Sequence, residues 1–113
     1  METVLAEKIE SIISRGIANT CMRDFYDIYI LTKFQDENID KDLFRKALTA
    51  TSKNRGSENQ ISNAENILSY VRKNEKLKSL WKNYIARNPY AKGISWVSIF
   101  ILITKVILSK LKV

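Results

Sequence analysis

Apolar residues recur along this chain at intervals of three and four, and no stretch keeps the period-two alternation of a half-buried strand. The first predicted helix covers 3–14, with Val4, Leu5, Ile9, Ile12 and Ile13 as its apolar face. RGIANTC, 15–21, makes the connection, with Gly16 placed to end that helix. The second helix covers 22–34, a polar loop QDENI follows, and Asp40 is placed to cap the third helix, 41–53, whose inward set is Leu43, Phe44, Ala47 and Leu48. SKNRGSEN, 52–59, reads as a loop. A fourth helix, 60–73, carries Ile61, Ala64, Ile67, Leu68 and Val71, and Ser62-x-x-Glu65 within it reads as a local capping arrangement. Asn74 caps a fifth helix, 75–87, striped by Leu77, Leu80, Trp81, Tyr84 and Ile85. Asn88-Pro89 closes it, because the residue before a proline disfavours the helical conformation. The sixth helix covers 95–112. The expectation is an all-α bundle of five to six helices, with Trp81 and Trp96 in its core.

Two helices break their own pattern. On a 100° wheel, Met22, Phe25, Tyr26, Ile28, Tyr29, Ile30, Leu31 and Phe34 cover almost the whole second helix, as in a buried helix. Arg23, Asp24 and Asp27 share its one polar sector. In the first helix Lys8 falls between Val4 and Ile12, inside the apolar face. A lysine aimed at a core must snorkel to water, pair with a carboxylate or do chemistry, and buried carboxylates carry the converse demand. The short link makes the two helices an antiparallel hairpin, so Lys8 is expected to face Asp24 or Asp27, with Arg15 and Arg23 as further counter-charges. A structural ion pair without catalytic duty satisfies the same pattern.

The sixth helix has a narrow polar stripe, Ser98, Lys105, Ser109 and Lys112, and is otherwise apolar, with Trp96, Phe100 and Ile103. The run 94–108 contains serines, a threonine and a lysine and falls short of the roughly 20 residues a membrane span needs. Burial against protein is expected, and the apolar excess points to a partner surface: a second copy or a missing domain.

Composition sharpens this reading. Three Gly and one Pro in 113 residues agree with long helices, and 45% apolar residues with a globular chain. The net charge of +7 favours anionic partners such as nucleic acid, nucleotides or an acidic protein, although a basic soluble surface meets the same count. One cysteine, Cys21, and no histidine exclude an internal disulfide and a His/Cys metal cluster. The acidic, amphipathic N-terminus is not a signal peptide, so a cytoplasmic setting is expected. A DNA-binding helix-turn-helix is disfavoured because the second helix is too apolar to serve in a groove.

The run ETVLAEKIESIISRGIANTCMRDFYDIYIL, 2–31, places an E-x-x-L-A-E-K helix, an S-R-G turn and an R-D-x-Y-D helix in series. It resembles the AbiEii/AbiGii family of nucleotidyltransferase toxins from bacterial abortive-infection and toxin–antitoxin systems, and NPYAKGISW, 88–96, is similar to that family's C-terminal part. The resemblance implies a polymerase-β-like nucleotidyltransferase fold followed by a helical region. It also implies Mg²⁺ and a nucleoside triphosphate for the full-length family. By the same resemblance Lys8 meets nucleotide phosphates, and Asp24 and Asp27 are the catalytic carboxylates, Asp24 positioning or deprotonating the acceptor. Arg15 and Arg23 join Lys8 in binding the nucleotide. The family's Gly-Ser turn and D-x-D pair have no counterpart here, and Cys21 stands where a basic residue is expected. The expectation is therefore a single helical domain, 1–113, lacking the N-terminal sheet domain and inactive alone, with no metal site of its own. Its expected partners are the missing domain or a second copy through the sixth helix, an antitoxin, and RNA. The alternative is a non-catalytic helical binding module.

Overall fold

The computed structural model describes residues 2–35 and 38–110. Among the described residues there are seven α-helices and no strand: α1 (Glu2–Arg15), α2 (Met22–Gln35), α3 (Lys41–Arg55), α4 (Glu58–Ser62), α5 (Ala64–Lys73), α6 (Glu75–Arg87) and α7 (Trp96–Lys110). Short 3-10 turns, Gly16–Ala18 and Pro89–Ala91, interrupt the links after α1 and α6. The all-α expectation holds, with one helix more than the pattern predicts.

The extra helix comes from the stretch expected to be the chain's best loop. α3 continues through Lys53, Asn54 and Arg55, and only Gly56 and Ser57 separate it from α4. Gly56 lies at φ +68°, a left-handed conformation that glycine adopts without a Cβ penalty. Its N–H reaches back to the Lys53 and Ser52 carbonyls, and the Ser57 N–H bonds to Ser52, so one residue reverses the chain. The predicted helix 60–73 is broken at Asn63 into α4 and α5. Ser62 is not a helix cap: its hydroxyl bonds back to the Glu58 carbonyl, and Asn63 holds the N-cap position of α5. The Asp40 and Asn74 caps are present, accepting from Leu43 N–H at 3.0 Å and Leu77 N–H at 2.9 Å. Asp36 and Glu37 of the QDENI loop, and Ser109 and Lys112 of the polar stripe, lie outside the described side chains.

α1 is the centre of the packing. Leu5, Ala6, Ile9, Ile12 and Ile13 are all buried. It packs most extensively against α3 and also against α2, while α2 lies along α7. Two polar contacts fix α1 on α3. Glu2 accepts the Asp40 N–H at the start of α3 (2.8 Å), and Glu10 meets Arg55 and Ser57 just at and beyond its end, so the two helices run in the same sense. Glu10 is 1% exposed; its two oxygens accept from Arg55 Nη1 and Ser57 Oγ, each at 2.7 Å. A buried carboxylate with charge-assisted bonds on both oxygens meets its desolvation requirement. Val4 and Leu43, expected inward, are instead exposed, while Leu5, Ile9, Phe44 and Leu48 on the same helices are buried. Phe34, at the end of α2, is exposed as well.

Phe25, Trp96 and Phe100 form a chain of ring contacts, with centroids 5.0 Å and 4.8 Å apart. Each tryptophan donates its indole N–H to a backbone carbonyl, Trp81 to Ile94 (2.9 Å) and Trp96 to Arg72 (3.0 Å). The first bond pins the 88–96 segment against α6, and the second pins the start of α7 against the end of α5. Burying an indole with its donor satisfied gains the ring's apolar area without leaving a polar group unpaired. The core reading of Trp81 and Trp96 therefore stands.

Replacing Glu10 by Ala leaves the Ser57 hydroxyl buried without its acceptor and frees the α3–α4 reversal from α1. The expected loss of stability is about 1–3 kcal/mol, read as a lower urea midpoint. An unchanged midpoint would show that this junction is held by apolar contacts alone.

Candidate functional site

Lys8 and the two aspartates of α2 meet. Lys8 Nζ lies 3.2 Å from Asp24 Oδ1 and 3.0 Å from Asp27 Oδ2. Asp27 uses its other oxygen to accept from Arg23 Nε at 3.1 Å. Helix geometry makes this possible. Asp24 and Asp27 are three residues apart and so share one face of α2, and Arg23 is placed four residues before Asp27. The lysine stem crosses from α1 along the apolar contact. All three paired groups are partly shielded, with side-chain exposures of 26% for Lys8, 19% for Asp24 and 24% for Asp27.

The arrangement fixes protonation. Burial works against the Lys8 ammonium, but the hydrogen bonds to Asp27 and Asp24 outweigh it and raise its pKa above the ordinary 10.5. The bond to Asp27 likewise raises the Arg23 pKa. Two cations and two carboxylates make the cluster neutral as a unit, so its value to a ligand is geometric. An ammonium has three donors, and two of them are engaged by the carboxylates; the third remains for a ligand oxygen.

Three tyrosines border this cluster. The Tyr84 and Tyr90 hydroxyls are 2.6 Å apart, and the Tyr90 ring stands edge-on to Tyr26 at 4.8 Å between centroids. Burial, then the bond to Tyr90, pushes the Tyr84 phenol above its ordinary 10.0. Arg23 and Asp27 lie within electrostatic range of Tyr84, and Arg23 of Tyr90. The 88–96 segment thus brings Tyr90 within electrostatic range of Arg23, at the edge of the cluster. The sequence pattern places Tyr84 in an apolar stripe and assigns Tyr90 no role; the signal available was a polar-tipped ring on that stripe, followed by Pro89.

Arg15 sits apart. It ends α1, seven residues or about 10 Å of helix rise beyond Lys8, and lines another hollow with Ile67, Tyr70 and Asn74. The structure brings together Lys8, Asp24, Asp27 and Arg23, but not Arg15. Four hollows on the surface are lined by other residues. One of them, about 570 Å³, lies between α5 and α7.

The residues present do not fit a magnesium site. Among the described residues no three His, Cys, Asp or Glu side chains cluster closely enough to hold a metal ion, and Asp24 and Asp27 are already engaged by two cations. Among the described residues, no helix is long and apolar enough to cross a membrane.

Fold and site together define an all-helical protein whose first two helices are joined by a lysine–aspartate–aspartate cluster. The family described as "Nucleotidyl transferase AbiEii toxin, Type IV TA system" matches residues 1–97, and the chain belongs to that family. Membership of a toxin–antitoxin family makes an antitoxin the implied partner. Neither the curated proteins nor the solved structures yield a match.

Both raised groups make stability fall at alkaline pH. The Lys8 ion pairs contribute in full below 10.5 and are lost as pH climbs through the higher folded-state value. The Tyr84 phenol is held protonated above its ordinary 10.0, so folding costs more once the unfolded phenol has ionised. The expected profile is a flat urea midpoint from neutrality to about pH 10, then a decline. Tyr84→Phe removes part of the decline. A profile flat through pH 11 would contradict both assignments.

Proposed function

We propose that this chain is the helical part of a nucleotidyltransferase toxin. In this reading it supplies one wall of the active site, and the Gly-Ser and D-x-D elements come from outside residues 1–113. The carrying observation is that Lys8 bridges Asp24 and Asp27 within the two motif helices covered by the family match. Lys8 directs its remaining donor to a nucleotide phosphate oxygen. Asp24 accepts a hydrogen bond from the acceptor hydroxyl and orients or deprotonates it. Asp27 holds Lys8 and Arg23 in place, and Arg23 offers its exposed guanidinium to phosphate. Positioning and charge stabilisation supply most of the rate in such transfers. Arg15 lies too far along α1 to share this duty without a substrate long enough to reach it. The reading carries with it phage defence as the biological setting and the cytoplasm as its place.

A second reading, a non-catalytic module that pairs through α7 or engages the antitoxin, draws on one observation. Val97 (56% exposed) and Ile101 (63% exposed) stand beside the α5–α7 hollow, the uncovered remnant of that helix's apolar excess. Among the described side chains of that helix, Trp96, Ile99, Phe100, Ile103, Val106 and Ile107 are buried within the chain.

Incubated with magnesium, labelled nucleoside triphosphates and RNA, the chain alone is expected to transfer no label. Supplied with a family sheet domain bearing the D-x-D pair, it should do so, and Lys8→Ala or Asp24→Asn should then lower the rate about 10²-fold or more. Efficient labelling by the chain alone, or full activity in both variants, would overturn the proposal.

A further inference from the structure

The largest share of the net positive charge of this chain lies in one segment. Residues 72–92 hold seven Lys and Arg side chains against one carboxylate, Glu75, and so account for six of the seven net charges. The remainder, with twelve cations and eleven acids, is nearly neutral. All seven cationic residues of the segment are exposed. α6 organises them: Leu77 and Trp81 are buried on one side, and Lys76, Lys78, Lys82 and Arg87 occupy the opposite half of the helix. Lys78 is partly answered by Glu75 at 3.2 Å. Along the axis Lys76, Lys82 and Arg87 are separated by about 9 Å and 7.5 Å, a stride of two to three phosphates at about 3.4 Å per strand.

We propose that the exposed face of α6 and the turn that follows it bind the phosphate backbone of a single-stranded nucleic acid. Charge alone would equally suit an acidic polypeptide. The aromatic end of the stripe favours nucleic acid. Tyr90 is 52% exposed, yet its ring is held by the Tyr84 hydroxyl and a T-shaped contact with Tyr26, so it offers a fixed ring against which a base can stack. Tyr84 also lines a hollow with Asn83, Arg87 and Asn88 beside the basic face of α6, and it lies within electrostatic range of Arg23 and Asp27. A strand following α6 would arrive with its end near Arg23. The inference concerns binding and stands without nucleotide transfer.

The test is fluorescence anisotropy of a labelled single-stranded RNA of mixed sequence, titrated with the full chain between about 50 and 200 mM salt. The wild type should bind, with affinity falling steeply with salt. Lys76→Glu/Lys82→Glu should weaken binding at least about tenfold and make the logarithmic salt slope shallower by about 1.4, two contacts at about 0.7 each. Lys46→Glu/Lys53→Glu, the same charge change on α3, should stay within about threefold. Circular dichroism checks folding, and Lys76→Gln/Lys82→Gln replaces the reversal pair if that pair unfolds. Absence of wild-type binding, equal losses from the α6 and α3 pairs, or equally tight α6-dependent binding of polyglutamate would each overturn the proposal. Loss of RNA binding in Tyr90→Ala with retention in Tyr90→Phe would place the stacked base as argued.

Discussion

The charges on α1 are the constraint on which the rest of the structure turns. This helix packs against α2, α3 and the turns around them, and it carries Glu10 buried, Lys8 partly shielded and Glu2 at its solvent-accessible start, each paired with a neighbour. A charge taken from water without a partner costs several kcal/mol, more than a domain of this size can absorb often. Each charge therefore fixes a neighbour. Glu2 fixes the start of α3, Glu10 fixes its end, and Lys8 fixes α2. Apolar burial supplies most of the stability, but it is non-directional. The three charges choose among the ways in which those apolar faces could meet.

The same economy explains how a small helical chain can hold a reactive group ready. Lys8 is reachable from solvent and yet ordered, because two carboxylates spaced three apart on α2 grip it together. Arg23 completes a neutral unit, so the cluster does not repel either a phosphate or an acceptor hydroxyl. Long-range attraction for an anion has to come from elsewhere, and α6 carries it. Under the proposed binding of a nucleic acid, separating a neutral, ordered cluster from an exposed basic face would let one surface gather a polyanion while the other keeps its geometry. Tyr84 is where the two meet, with its hydroxyl tied to Tyr90 and its ring stacked on Trp81 at 5.3 Å.

Gly56 and the two indoles show how single residues set the remaining architecture. One left-handed glycine turns α3 into α4 within two residues and delivers Ser57 to Glu10. The Trp81 and Trp96 donors, each satisfied by a carbonyl from a different element, lock the segment between α6 and α7 that brings Tyr90 to the site. These are local features with distant consequences, because six of the seven helices share one core.

Helical periodicity, the Asp40 and Asn74 caps and the misplaced Lys8, Asp24 and Asp27 were legible in the residues themselves, since each rests on spacing along one helix or on a demand for a counter-charge. Glu10 falls at the edge of the apolar face on the wheel, beside Ala6, and its partners lie more than forty residues away, where no local pattern names them. The break at Asn63, the shortening of the 52–59 loop and the exposure of Val4 and Leu43 depended on which helix packs where. So did the separation of Arg15 from Lys8 and the approach of Tyr90 to Arg23. Spacing fixes what each helix must bury or pair; only packing in three dimensions decides which neighbour answers, because the energy of burial carries no direction of its own.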